Sequence, residues 1–102
     1  MNMQGLLKQA QKMQKDLAKV ESELNEKVYE ASMGGGVIKV EVRGNMSIET
    51  ISIDETLLEK ENREDLEEML KSAINEAFRI AVADKEKCMN AITGGVKMPG
   101  GF

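Results

Sequence analysis

The chain has 102 residues, a formal net charge of -4, and neither histidine nor tryptophan. A chain of this length forms one domain with a modest core, so burial of a further apolar face in an oligomer is expected. The acidic balance argues against a protein that coats nucleic acid by overall positive charge. The absence of histidine removes the commonest general base and metal ligand, and the single cysteine, Cys88, excludes an internal disulfide.

Nothing in the sequence has the pattern of a secretory or membrane-spanning segment. The amino-terminal stretch is amphipathic and rich in glutamine, whereas a signal peptide has a continuously apolar centre. No run approaches the roughly 20 apolar residues that cross a bilayer. A lone cysteine with eight methionines suits a reducing compartment. The sequence therefore predicts a cytoplasmic protein without a membrane partner.

Charge is distributed unevenly along the chain. Residues 1–20 contain four lysines and one acid, so they carry a charge of +3. Residues 21–68 carry -9, and residues 69–102 carry +2. The amino-terminal segment is thus a positive island in an acidic protein.

That segment is predicted to be an amphipathic helix from about Asn2 to Asn25 or Glu26. Its apolar residues recur at steps of three and four, which is the spacing of a helix with one apolar seam. They are Met3, Leu6, Ala10, Met13, Leu17, Val20 and Leu24. Four lysines repeat at spacings of four, three and four on the opposite face. They are Lys8, Lys12, Lys15 and Lys19, and we call them the lysine stripe.

Three strands should follow the helix. A short strand, Val28–Met33, runs into the glycines of Gly34–Gly36, and Val37–Arg43 alternates strictly between apolar and charged residues. Gly44–Asn45 is a two-residue hairpin signal, so Met46–Ile53 is expected to be the third strand. The apolar phase of this third strand shifts midway, which predicts a bulge or a strong twist near Glu49 and Thr50. The result is an antiparallel meander with one apolar face that a helix must cover.

A second long helix should cover that face and complete an α+β fold. The turn at Asp54–Leu58 is expected to return both leucines to the core, and Asn62 to cap a helix that reaches about Asn90. Small residues recur along this helix, and their size would let another helix approach closely. They are Ala73, Ala77 and Ala81. Residues 93–102 contain four glycines and the only proline, and we interpret them as a mobile tail of the single domain.

No set of residues supports an enzymatic or cofactor-dependent function. The three glycines lead into a strand, whereas a phosphate-binding loop opens a helix and ends in a GK[ST] motif. The acids between Glu55 and Glu68 lack the spacing of a calcium loop and are better explained as a solvated face. Cys88 has basic neighbours but no histidine, so we interpret it as an inert thiol. The sequence predicts a protein that is not an enzyme, with no cofactor, metal or small-molecule substrate.

The lysine stripe has two possible explanations. Exposed helix faces are often rich in lysine, so the stripe alone fits an ordinary solvated surface. Glutamines interleave with the lysines, however, and glutamine donates hydrogen bonds to phosphates or bases without adding negative charge. If the two helices pair antiparallel, cations near the end of the second helix would meet the stripe at one tip. They are Arg79, Lys85 and Lys87.

Five segments, in order, resemble the YbaB/EbfC family of nucleoid-associated DNA-binding proteins. They are MQGLLKQAQKMQKDL, GGGVIKVEV, SIDETLL, LEEMLKSAINEAFRIA and ITGGVKMPGGF, and they span nearly the whole chain. The resemblance implies a cytoplasmic bacterial homodimer with projecting helical arms, associated with the nucleoid. It also implies that the arms bind double-stranded DNA with little sequence preference, which affects chromosome organisation and gene expression.

Carried over by position, the family's basic, glutamine-rich helix falls on residues 8–19. The DNA-contacting residues predicted here combine that helix with the cations of the second one. They are Lys8, Gln9, Gln11, Lys12, Lys15, Lys19, Arg79, Lys85 and Lys87. A competing hypothesis is a protein-interaction module that docks a partner protein through its helices and its methionine-rich seam.

Overall fold

The computed structural model describes residues 2–94 of the chain, which form an elongated molecule of 69 × 20 × 19 Å. The elements in order are α1 (Met3–Glu26), β1 (Val28–Met33), β2 (Ile38–Arg43), β3 (Ile48–Ile53), two 3-10 turns (Glu55–Leu58 and Lys60–Asn62) and α2 (Arg63–Thr93). This is the predicted α+β fold of helix, three-stranded meander and helix. The predicted tail at residues 93–102 lies outside the described residues except for Thr93 and Gly94.

Helix α1 begins where the sequence predicts, because Asn2 caps it. The Asn2 side chain accepts a hydrogen bond from the backbone N–H of Gln4 at 3.0 Å. The apolar seam is buried only in the second half of the helix, at Leu17 and Leu24. Met3 at the amino-terminal end is 73% exposed. The first turns of α1 therefore project from the rest of the molecule.

The sheet is antiparallel in the order β1-β2-β3, and the bulge predicted in the third strand is confirmed. Glu41 pairs with Thr50, but the next residue of β2, Val42, pairs with Ile48. Glu49 is therefore the extra residue on β3. Because of it, the three isoleucines of β3 all lie on the apolar face of the sheet, although their spacing in the sequence is uneven.

The hairpin between β2 and β3 differs from the predicted two-residue turn. The Arg43 N–H donates to the Ser47 carbonyl at 2.8 Å and the Met46 N–H donates to the Arg43 carbonyl at 2.9 Å, so the loop has three residues. Met46 is in the left-handed region at φ 68°, which a three-residue loop of this kind requires at its last position. The Asn45 side chain stabilises the turn by accepting from the Ser47 N–H at 3.0 Å. Strand β3 consequently begins at Ile48 and not at Met46.

Helix α2 packs across β1 and β2, and its small residues face the sheet. Ala73 and Ala77 are fully buried, in one cluster with Ile38, Val40 and Val42 of β2. The expectation that the alanines admit another helix is therefore wrong. Because their side chains are small, the backbone of α2 can pack directly on the bulky, branched side chains of β2.

Both ends of α2 depart from the prediction. Asn62 occupies the cap position, but its side chain donates to the Thr56 carbonyl at 2.7 Å and caps no backbone N–H. At the other end the helix continues to Thr93, which is buried, and ends at Gly94 with φ 65°. In the turn before α2 only Leu57 returns to the core, as Leu58 is 65% exposed.

Candidate nucleic-acid interface

The projecting part of the molecule, which we call the arm, consists of α1 and residues 84–93 of α2. The two helices run antiparallel, as expected. Near the sheet, Lys85 Nζ lies 3.9 Å from Glu21 Oε1. Further out, Met13 and Gln9 line the same open groove as Ile92. The arm is therefore an antiparallel pair of helices, and the first turns of α1 form its free end.

The lysine stripe lies on the exposed side of α1, and Lys12 also lines the groove beside Ile92. All four side chains are exposed, and among the described residues none of them takes part in an ion pair. The helical rise puts about 16 Å between Lys8 and Lys19. One DNA strand carries about five phosphates along that length of duplex axis. Gln9 and Gln11 are exposed beside the lysines.

The cations of α2 do not reach the amino-terminal tip of α1. Lys85 sits beside Glu21, in the part of α1 nearer the sheet. Arg79 lies earlier in α2 and donates to both carboxylate oxygens of Glu76, at 2.9 and 2.6 Å. This hydrogen-bonded pair raises the pKa of Arg79 and lowers the pKa of Glu76. Lys87 is exposed and has no ion-pair partner among residues 2–94.

A polar cluster that the sequence did not reveal connects the arm to the sheet. Asp84 Oδ2 accepts from Lys27 Nζ at 2.8 Å and from the Tyr29 hydroxyl at 2.6 Å. Cys88 Sγ lies 3.8 Å from the other carboxylate oxygen. Because 55 or more residues separate Asp84 from Lys27 and Tyr29 in the chain, no local pattern indicates the contact. We call these four residues the Asp84 cluster.

Asp84 and Tyr29 each keep one protonation state near neutral pH. The hydrogen bonds from Lys27 and Tyr29 lower the pKa of Asp84, so this carboxylate is ionised near neutral pH. Burial, followed by the hydrogen bond to Asp84, raises the pKa of Tyr29 far above its ordinary value, so the phenol keeps its proton. Lys27 and Tyr29 therefore remain hydrogen-bond donors, and Asp84 remains their acceptor, across the physiological pH range.

A second contact at the base of the arm depends on a glycine. The Gly44 N–H donates to the Lys27 carbonyl at 3.0 Å and the Asn45 N–H donates to the Asn25 carbonyl at 3.2 Å. A Cβ atom on Gly44 would lie well inside van der Waals distance of the Leu24 carbonyl oxygen. The hairpin between β2 and β3 thus lies directly against the last turn of α1.

Negative charge is concentrated away from the tip of the arm. Eight of the 18 acids lie between Asp54 and Glu68, in the two 3-10 turns and the first turns of α2. Within residues 2–94 only Glu67 and Glu68 of these eight form ion pairs, with Arg63 and Lys71. In the described part of the chain, no three acidic or cysteine side chains are grouped so that they could hold a metal ion. None of the helices in residues 2–94 combines the length and apolarity needed to cross a membrane.

Comparisons with known proteins agree on a single family. The model of the YbaB/EbfC DNA-binding family matches residues 1–96. A nucleoid-associated protein of Alkaliphilus metalliredigens is 43% identical over 101 residues, which cover 99% of this chain and 89% of that protein. A nucleoid-associated protein of Clostridium novyi is 39% identical over 102 residues, covering 100% and 90%.

One solved structure has the same fold. The crystal structure of an uncharacterised Helicobacter pylori protein matches with a TM-score of 0.77 and covers 92% of this chain and 99% of its own. Its sequence identity is 22%, so this match establishes the fold alone. The family model and the two relatives establish the membership: the chain belongs to the YbaB/EbfC DNA-binding family.

Proposed function

We propose that this protein is a nucleoid-associated protein that binds double-stranded DNA without catalysis, through the lysine stripe of the arm. The observation that carries the proposal is a row of exposed lysines on the projecting helix of an acidic chain, without carboxylate partners within residues 2–94. Such a row attracts phosphates, while the acids around the start of α2 repel them. DNA contact is thereby restricted to the arm. The family and the names of the relatives support DNA as the ligand.

The side chains of the proposed interface favour weak sequence preference. Lysine contacts to phosphates fix a protein on the duplex but do not read its sequence. Gln9 and Gln11 are the neutral donors beside the stripe, and they add hydrogen bonds to the backbone or to base edges. The cationic surface is extended toward the sheet by Lys87, Lys85 and Arg79. Two of these form ion pairs, Lys85 with Glu21 and Arg79 with Glu76. Binding of this type organises a chromosome and affects gene expression without a defined target sequence.

A homodimer is part of the proposal, and β3 supplies a surface for it. Helix α2 covers β1 and β2, so the apolar face of β3 stays uncovered, with Ile48 and Ile51 44% and 45% exposed. Met46, beside the start of the strand, is 43% exposed. An edge strand with an exposed apolar face is a natural site for association. A second copy that covers it would join two arms, and two weak cationic surfaces on one particle bind DNA far more tightly than one.

The dimer surface can be tested with two substitutions at equally exposed positions. Ile51→Lys puts a charge on the uncovered face and should give a monomer, because the charge would be buried without a partner in the dimer. Val28→Lys changes a side chain of 44% exposure on the opposite, polar face of the sheet and should leave the dimer intact. Sedimentation of both variants measures the result. If the Ile51→Lys variant is still a dimer, the dimer interface does not include the apolar face of β3.

The function itself is tested by mobility shifts on several unrelated duplexes across a salt series. If six to eight phosphates are neutralised per dimer, the log-log slope of affinity against salt should be about -5 to -7. The slope should be the same for every duplex, because the contacts are to phosphates. Measurable binding with a slope near zero would exclude the phosphate-contact mechanism.

A protein-interaction module is the second candidate function, and the tip of the arm favours it. Leu6 and Leu7 are 43% and 59% exposed beside Met3. The rest of the protomer does not cover this apolar surface, which is typical of a docking site. In that case a partner protein docks on the tip and DNA association is indirect. Pull-down with the full chain before and after nuclease treatment distinguishes the two functions. Partners that survive the nuclease, together with no DNA binding by the purified protein, would favour the interaction module.

A further inference from the structure

We propose that Asp84 is a positioning residue for DNA binding, because it fixes the direction in which α1, the helix that carries the lysine stripe, leaves the sheet. This inference rests on the proposed function for its DNA consequence. Its structural part, the orientation of α1, can be measured without DNA. The four residues of the Asp84 cluster are the observation from which it starts.

Helix α1 needs such a contact because its covalent attachment to the sheet is slight. Lys27 is the only residue between the end of α1 and the start of β1. A helix of 24 residues is about 36 Å long, so a rotation of about 10° at its base displaces the tip by about 6 Å. The same rotation displaces Lys8 by about 5 Å and Lys19 by about 2 Å, which shifts the lysine stripe relative to the phosphates.

The carboxylate of Asp84 is the point where three elements meet. It belongs to α2, accepts from Lys27 at the α1–β1 junction, and accepts from Tyr29 of β1. The ammonium of Lys27 also lies 5.3 Å from the centre of the Tyr29 ring. Tyr29 is buried at 7% exposure and the Asp84 side chain is 23% exposed, so water competes only partly with the bond between them, whereas Lys27 is 54% exposed and its bond is more open to water.

No other charged contact in residues 2–94 has the same effect. Within those residues, Glu21–Lys85 is the only ion pair between a residue of α1 and one of α2, and its atoms are 3.9 Å apart with both side chains more than a third exposed. Exposed ion pairs of that kind are weak, so this one does little to fix the direction of α1. The hydrogen bonds from Gly44 and Asn45 hold the junction to the hairpin, but they do not involve α2. Asp84 is therefore the polar group that couples the direction of α1 to the helix that covers the sheet.

Asp84→Asn and Tyr29→Phe test the proposal. Asp84→Asn removes one negative charge near the arm, so electrostatics alone predicts tighter DNA binding. Positioning predicts the opposite, a loss of about 10-fold, because an α1 whose direction is less restricted must be ordered when it binds. Tyr29→Phe removes only the hydroxyl and should weaken binding in the same direction without any change of charge.

The orientation of the arm is measured by spin labels on Gln11 in the arm and Ser32 on the exposed face of β1. Both positions are changed to cysteine in a Cys88→Ser background, and the labelled chains are mixed with excess unlabelled protein so that each particle carries one labelled pair. The distance distribution should be narrow in the otherwise native chain. It should broaden in Asp84→Asn and in Tyr29→Phe, while circular dichroism shows that both variants stay folded.

Thr50→Val is the matched control for Tyr29→Phe. It removes another hydroxyl that donates to a carboxylate at 2.6 Å, that of Glu41, but within the sheet and away from the arm. It should leave the distance distribution and the affinity unchanged. Narrow distances and undiminished DNA binding in Asp84→Asn and Tyr29→Phe would overturn the proposal. A native protein that binds no DNA would overturn the proposed function and the binding role of Asp84 together.

Discussion

Replacing Lys8, Lys12 and Lys15 together by alanine should weaken binding to every duplex by roughly 100-fold or more near physiological salt. Each lysine that is removed leaves one phosphate of the DNA unneutralised, so the counterions of that phosphate are not released. The dimer loses three such contacts per protomer. The log-log salt slope should therefore move from between -5 and -7 to about -2 or nearer zero. Mobility shifts of the variant on the same duplexes across the same salt series measure both quantities.

The same charge change on the body of the protein provides the control. Lys39, Lys60 and Lys71 are exposed but lie outside the arm, on β2, in the second 3-10 turn and on α2. Changing all three to alanine lowers the net charge as much as the stripe variant does. If binding depends on the stripe, affinity should fall only slightly in this control. Equal losses in the two variants would show that overall charge matters and the stripe is ordinary solvated surface.

The stripe variant should remain folded and dimeric, which makes its binding defect interpretable. The three side chains are exposed and make no hydrogen bonds or ion pairs among the described residues. Alanine is also the best helix former, so α1 gains rather than loses local stability. Circular dichroism and sedimentation should match those of the native protein.

Local patterns were sufficient to predict the elements and the exposed face of the arm. The spacing of three and four gave α1 within one residue at its start, and the strict alternation from Ile38 to Arg43 gave β2. The phase shift between Ile48 and Ile51 predicted a bulge or strong twist near Glu49 and Thr50, and the extra residue at Glu49 keeps both isoleucines on one face. These features depend on neighbours in the chain, so they can be read from it.

Contacts between distant segments could not be predicted in the same way. Alanines at helical spacing fit a close helix or a close sheet equally well, and only the sheet packing of Ala73 and Ala77 decides between them. Asn62 is a good capping residue, but the Thr56 carbonyl competes for its side chain. The bond between Asp84 and Tyr29 joins residues from different ends of the chain. The binding roles of the arm residues stay predictions for a related reason, since they depend on a ligand outside the chain.

Replacing Gly44 by alanine should have the largest effect on folding. The added methyl group would overlap the Leu24 carbonyl oxygen, and this neighbour is backbone of a helix end, which does not rotate aside as a side chain does. Relief requires the hairpin to move away from α1, which breaks the bonds from Gly44 to Lys27 and from Asn45 to Asn25. We expect a loss of about 3 kcal/mol or more in the free energy of unfolding, from overpacking and two lost hydrogen bonds.

Gly5→Ala is the contrasting change, because it adds the same methyl group where there is room. The nearest atom to a Cβ on Gly5 is Asn2 Cβ at 3.9 Å, and the residue lies inside α1. Alanine there should raise the free energy of unfolding by about 0.5–1 kcal/mol, since glycine is a poor helix former. Urea denaturation followed by circular dichroism measures both variants. A Gly44→Ala protein within about 1 kcal/mol of the native one would mean that the hairpin and α1 are not held in contact. The base of the arm would then depend on the Asp84 cluster alone.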